Sequence, residues 1–332
     1  MPHAVLSHPL RLTVFALLLA LKSIVSGSFA CAADYPTRPV KIIVQTPAGT
    51  APDVICRLLA EQLAKLWGQQ VLVLNQPGGG GTVAARAAVT AAPDGYTIFM
   101  PATSIFVSMP ELYQDLPFDV SRDLVPIGFV GEQPLALGVR PSLGVNSLQE
   151  LIALSREQPA KFNLANIMPV GSLPSLTGEL FRARSGAQIT SIPYPGSAEA
   201  IGDLLSGRVQ MIIESLPGLS GLVSDGKLKI LAFATPKRLP NFPEIPTIAE
   251  LFPGFEAVGW FVLVAPAKTD PAIIGKQARD LETVLGEPEF RKRLLDLATY
   301  TRPMTPGETR EFIRSEQHVW KPVLQQIVAK MR

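Results

Sequence analysis

From residue 40 onward, short apolar runs alternate with stretches of helical period. Residues 40–44 read as a strand. Residues 52–67 read as a helix with Ile55, Leu58, Leu59, Leu63 and Leu66 on one side. The same alternation predicts strands at 71–74 and 97–100 with a helix at 82–91 between them. Residues 127–130 and 135–139 form an apolar path broken at Gln133-Pro134, followed by a helix at 147–157. Further strands are expected at 162–165, 189–192, 209–213 and 229–234, with helices at 172–184 and 197–205. "GWFVLVAPA" is one more buried strand, and two or three helices between 271 and 328 close the chain.

Strand alternating with helix calls for parallel sheets covered on both faces, an α/β architecture. The elements are too many for one short sheet, and 332 residues suit about two lobes. They divide near Pro134 into residues 34–133 and residues 134–258, with 259–332 returning to the first lobe and adding the C-terminal helices. The apolar paths at 130–139 and 260–265 are the natural crossings. Two parallel-sheet lobes joined by a two-crossing hinge make a clamshell. Ligands of such sheets sit beyond the carboxyl ends of the strands, where helices begin.

The first residues change the picture of where the protein works. Arg11 precedes "LTVFALLLALKSIVSGSFACAA", an apolar stretch ending in small residues, which reads as a secretory signal cleaved at 30–33. Lys22 interrupts the run, so no span of membrane-crossing length remains. Lipid attachment at Cys31 is not expected, because Ser28 stands where such signals want leucine. The expected location is the periplasm. Cleavage removes two basic residues, Arg11 and Lys22, and no acidic one, and so brings the whole-chain charge of +2 to balance. Without a basic stripe, nucleic acid is a poor partner. Cys56 is then the one cysteine left, set among Ile55, Leu58 and Leu59 as a core residue. His3 and His8 leave with the signal and His318 stands alone, which gives no metal-binding spacing.

The chemistry that remains lies in four turns that pair glycine with a hydroxyl: Gly49-Thr50, Gly81-Thr82, Gly171-Ser172 and Gly196-Ser197. Two are closer still, "GTAPD" at 49–53 and "GSLPS" at 171–175. Thr50 or Ser172 can cap the first free N–H groups of its helix, and proline in the first turn costs no needed donor. Glycine lets a ligand approach the main chain. Uncapped N–H groups at a helix start, with the positive end of its dipole, hold a small anion. A carboxylate held by the first turn is the expectation. Gly-Ser and Gly-Thr also start helices for structural reasons alone, so the functional reading rests on two such turns facing each other.

Other chemistries fit poorly. "NQPGGGGTVAARAA" contains a loose dinucleotide fingerprint, but it follows the second strand, and the next strand ends without an acid for a ribose. Ser172 and Ser197 lack the glycine pattern of a nucleophile elbow. No histidine is placed to activate a serine, and no acid pair stands out. Pockets without nucleophile, base or metal are usually binding pockets.

The stretch "YPTRPVKIIVQTPAGTAPD", the run "NQPGGGG" and "APDGY" at 92–96 strongly resemble the opening of the Bug family, the periplasmic solute-binding proteins of tripartite tricarboxylate transporters. "LPFDVSRDLVPIGFVG", "GSLPSLTGELF", "IPYPGSAEAIGDLLSGRVQM" and "GWFVLVAPA" continue the resemblance over nearly all of residues 34–332. It implies a type II periplasmic-binding-protein fold, no catalysis, no cofactor and no metal. It also implies a monomer that binds a small carboxylate ligand and hands it to membrane permease subunits. By the family pattern Ala48, Gly49, Thr50 and Asp53 contact the ligand, while Gly171, Ser172 and the segment from Tyr194 through Gly196 to Ser197 face it from the second lobe. Ser104, Asn166, Ser175 and Glu214 complete the candidate site.

Departures from the family pattern concentrate in that site. Thr50 stands where a second glycine is usual, Ser175 where histidine is common, and Pro195 where a basic residue is common. The segment "NIMPV" at 166–170 looks longer by a residue, and Glu214 replaces an aspartate. Glu214 could receive an amino group, face solvent or make a structural hydrogen bond. A ligand sensor docking on a signalling receptor, and a nucleotide-dependent or hydrolytic enzyme, are the competing functions.

Overall fold

The computed structural model describes residues 35–113, 115–167 and 171–331. The signal expected at 1–33, with Cys31 and the expected cleavage site, lies outside the described residues, as do residues 168–170 of the unusual segment. Everything below concerns the main unit, Arg38–Arg332.

Its first elements are β1 (Val40–Val44), α1 (Ala51–Trp67), β2 (Val71–Asn75), α2 (Thr82–Val89) and β3 (Thr97–Met100). The short helices α3 (Met109–Leu112) and α4 (Val120–Asp123) lead into β4 (Leu124–Val139). Then come α5 (Leu148–Glu157), β5 (Asn163–Ile167), α6 (Leu173–Ser185), β6 (Thr190–Tyr194), α7 (Ser197–Ser206), β7 (Met211–Ser215), α8 (Leu216–Ser224) and β8 (Lys229–Phe233). The chain ends with α9 (Ile248–Leu251), β9 (Val258–Pro266), α10 (Pro271–Gly286), α11 (Pro288–Asp296) and α12 (Pro306–Met331).

The strands follow the order β2-β1-β3-β9-β4-β7-β5-β6, with β8 on the other side of β4. The parallel reading holds for β2-β1-β3 and for β6-β5-β7. It does not hold in the middle, where β9 runs antiparallel to β3 and β4 runs antiparallel to β7, β8 and β9. A fully apolar strand carries no mark of its direction, so the alternation of elements could not reveal this.

β4 joins the two halves. Its first part, Leu124 to Pro134, pairs with β9, and its second part, Leu135 to Val139, pairs with β7 and β8. The expected break at Gln133-Pro134 is therefore a change of partner inside one continuous strand. Proline lacks the N–H of a ladder, so it suits the place where one ladder ends. The run 260–265 lies within the β4–β9 ladder rather than between the halves; the chain returns at 257–258, where Ala257 N–H donates to Ala234 O. A third strand of backbone joins there, since Glu132 and Tyr300 exchange both main-chain hydrogen bonds at 2.8 and 2.9 Å.

An aromatic cluster fixes this junction. Trp260 of β9 meets Phe312 of α12 edge-on at 5.4 Å between centroids, and Phe312 meets Phe129 of β4 at 5.3 Å. Trp260 Nε1 donates to Glu316 of α12 at 3.0 Å. Burial, partly opposed by that bond, pushes the Glu316 carboxyl above its ordinary value. On the opposite face, α1 buries Ile55, Cys56, Leu59 and Leu63. Burial pushes the Cys56 thiol far up. Native protein is expected not to react with an aromatic disulfide reagent on the timescale of free thiols, and denaturant should release one full equivalent.

Candidate functional site

The carboxyl ends of β1, β3, β5 and β7 open onto one cleft of about 890 Å³. It gathers seven of the thirteen candidate residues: Gly49, Thr50, Ser104, Gly171, Ser172, Ser197 and Glu214. The two turns of like sequence both line it. Gly171 packs so closely on Ser108 and Leu112 that a Cβ on it would run into the Leu112 side chain.

The first turn is built differently from the expectation. Thr50 occupies the N-cap position of α1 but makes no side-chain cap bond. Its hydroxyl instead donates to Pro47 O at 2.7 Å and lies 2.9 Å from Thr46 Oγ1. Gly49 N–H is not available to a ligand either, because it donates to the Asp53 carboxylate at 2.8 Å. Asp53 is only 2 % exposed and does not line the cleft. It also accepts from Arg57 Nε at 3.0 Å and Asn75 Nδ2 at 2.8 Å, tying the turn to the end of β2. Burial alone would raise the Asp53 carboxyl. The hydrogen bonds from Arg57, Gly49 and Asn75 outweigh it and hold the group below its ordinary value. Asp53 thus positions the turn. The open donors are Ala51 N–H and Asp53 N–H, for which no partner exists among the described residues. Ala51 itself is on the cleft wall.

The second turn follows the expectation. Ser172 Oγ caps α6 by accepting from Ser175 N–H at 3.4 Å, and it donates to Ile167 O at 2.7 Å. Ser175 is buried behind it, off the cleft. Three more candidates also lie off the cleft wall. Asn166 Nδ2 donates to Ser191 Oγ at 2.9 Å, and Tyr194 Oη donates to Asp203 at 2.8 Å. Gly196 is the extended N-cap of α7. Ala48 is exposed and outside the lining as well. Ser197 does reach the cleft, and its hydroxyl donates to Glu214 Oε2 at 2.6 Å.

Several lining residues escaped the sequence reading. Gln45, just past β1, donates to Ser104 Oγ at 3.1 Å and accepts from Ala102 N–H at 3.1 Å, which locks the floor of the cleft. The rule that ligands gather at strand ends could have singled it out. Thr103 holds Trp260 through both main-chain atoms, at 2.8 and 3.3 Å. Trp260 and Phe261 supply aromatic wall, and as parts of an apolar strand they gave no signal apart from core. Gly78, Gly80 and Gly81 border the cleft, so the glycine run serves its rim. Among the described residues no group of histidine, cysteine and acids could hold a metal ion.

A cleft between two β/α halves, entered by helix starts and crossed by shared strands, defines a periplasmic-binding-protein fold of type II. Residues 55–328 match the model of the tripartite tricarboxylate transporter family receptor. The chain is 37% identical over 300 residues to the protein BugT of Bordetella pertussis, across 90% of this chain and 92% of that one. Its fold is similar to an R. palustris protein solved with adipate, with a TM-score of 0.80 and 30% identity over 88% of this chain and 97% of the other. MatC from Rhodopseudomonas palustris, solved with bound malate, gives a TM-score of 0.76 at 27% identity over 87% and 100%. The periplasmic binding protein BugD gives 0.76 at 29% over 88% and 98%. The chain belongs to the tripartite tricarboxylate transporter receptor family, the Bug solute-binding proteins. No helix among the described residues is long and apolar enough to cross a membrane.

Proposed function

We propose that this protein is an exported receptor that captures a small organic carboxylate in its cleft and delivers it to the permease subunits of a tripartite tricarboxylate-type transporter, without catalysing a reaction. Residues 34–133 with 259–332 form one lobe and 134–258 the other, and the lobes close about β4 and β9. The observation that carries the reading is the start of α1. This helix of 17 residues starts at Ala51, which lies on the cleft wall and whose N–H has no partner among the described residues, while its N-cap hydroxyl bonds Pro47 O instead. An uncapped helix start facing a cavity favours an anion. The carboxylates named for the related structures, adipate and malate, support the same reading.

The test uses thermal shift to find a binding acid and Ala51→Pro to place it. Thr50 has ψ 159°, which a following proline accepts, so the change removes one donor at little conformational cost. A charge-assisted hydrogen bond contributes about 1.5–3 kcal/mol. Calorimetry should therefore show affinity falling about tenfold or more, with the unfolding midpoint nearly unchanged. Undiminished affinity in the folded variant would move the carboxylate away from α1.

A further inference from the structure

The cleft wall contains one charged side chain among the described residues, and it is negative. Glu214, at the end of β7, is 8 % exposed, and no lysine, arginine or histidine lines the cleft with it or pairs with it. Its two oxygens reach two different helix starts. Oε2 accepts from the hydroxyl of Ser197, the first residue of α7, at 2.6 Å. Oε1 accepts from the N–H of Ser215, the N-cap of α8, at 2.6 Å. Gly218, in the first turn of α8, leaves room for this fold-back, since a Cβ there would stand 3.1 Å from Glu214 Cγ.

We infer that Glu214 occupies, as a built-in anion, the place where the far carboxylate of a dicarboxylate would otherwise bind. The cleft therefore selects a monocarboxylate whose distal end carries a hydrogen-bond donor. This rests on the carboxylate reading of the α1 start. A second carboxylate entering near α7 and α8 finds a fixed negative charge in a partly desolvated wall, where like charges repel more strongly than in water. It also finds the Ser197 hydroxyl and the Ser215 N–H engaged. A carboxylate accepts about four hydrogen bonds in all, and two are used. The remaining acceptor positions call for a donor, and an ammonium is the charge-complementary one. Apolar walls from Met109, Leu112, Leu135, Leu173 and Trp260 suit a hydrocarbon spacer between the two ends.

Matched chains separate the possibilities. Hexanoate, adipate, ω-hydroxyhexanoate and ω-aminohexanoate, with the corresponding four-carbon set and hexylamine as the control without a carboxylate, are titrated by calorimetry into the mature protein and into Glu214→Gln, with folding checked by thermal unfolding. The wild type should bind the amino or hydroxy acid about tenfold or more tighter than the dicarboxylate of equal length, the factor expected for a charge-assisted hydrogen bond. Glu214→Gln, which removes the charge and adds a donor, should narrow or reverse that preference by a similar factor. Preference for the amino acid over the hydroxy acid identifies a cationic tail, and the reverse order a neutral one. If the wild type binds a dicarboxylate at least as tightly as its donor-tailed partner, the inference falls while the carboxylate reading stands. An unchanged ratio in a folded Glu214→Gln also overturns it. Equal binding of hexylamine, or no binding by any acid of either set, removes the carboxylate reading and this inference together.

Discussion

Asp53→Ala should cost about 1–3 kcal/mol of stability at neutral pH and weaken ligand binding without touching the ligand. The carboxylate is buried in the first turn of α1 and holds Gly49 N–H, Arg57 and Asn75 at once. Removing it takes the acceptor from the Gly49 N–H, which water can reach, and from the half-buried Asn75 amide, a loss of about 1–3 kcal/mol in all. Half-exposed Arg57 can return to water and adds little. Asn75 also donates to Thr46 O, so the loss spreads to both ends of the turn. That turn sets where the α1 start faces the cleft, and affinity should fall with it. Asp53→Asn separates charge from shape. Because the folded carboxyl lies below its unfolded value, its stabilisation is fully present above about pH 4. It is lost as pH falls through the folded pKa, where protonation begins in the native state. Urea unfolding from pH 7 down to pH 3 should show the stability gap between wild type and Asp53→Asn shrinking toward acid. A gap that stays constant with pH would assign the effect to packing rather than to the charge.

Asp53 also marks the limit of what the sequence could convey. The frame was legible because each strand–helix unit has its own period, and every long helix from α1 to α12 except α8 follows from spacing. "LPGLSGLVS" hid α8 because two glycines and an unbroken apolar run leave no period to count. In the site, glycine–hydroxyl turns are legible because they demand a helix start, and helix starts gather at the strand ends; Gly49, Thr50, Gly171, Ser172 and Ser197 all reach the cleft. Asp53, Asn166, Ser175 and Tyr194 are polar residues of the same segments, yet they turn to the protein. Spacing places a residue within a turn of its element. Which way the side chain points depends on partners far along the chain, as with Asp53 and Asn75, 22 positions apart. Gln45 and Trp260 went unseen for the converse reason. One follows an apolar strand and one sits inside another, and only the crossing of strands brings them to the cavity.

Gly171→Ala should lower ligand affinity about ten- to a hundredfold, by opposing closure of the proposed clamshell. Gly171 follows the second parallel group, whereas Ser108 and Leu112 follow the first, so their contact spans the cleft. A methyl group at 171 would run into Leu112 and stand 3.3 Å from Ser108 Cβ. Two costs are then separable. The turn has φ +93°, so alanine is strained there by about 1–2 kcal/mol whether the cleft is open or closed. The collision acts only when the lobes meet, and overpacking of this kind costs about 1–3 kcal/mol. The second cost alone reduces the closed population and so raises the apparent dissociation constant. Leu112→Ala in the same chain removes the collision and leaves the strain. The double variant should therefore recover most of the affinity lost by Gly171→Ala, while its unfolding midpoint stays low. Small-angle scattering under saturating ligand supplies the geometric half of the test, with a larger radius of gyration for Gly171→Ala than for wild type and a return toward wild type in the double variant. If affinity stays low after Leu112→Ala and the radius never changes, the loss belongs to the strained turn, and closure of these two faces on each other has no part in binding.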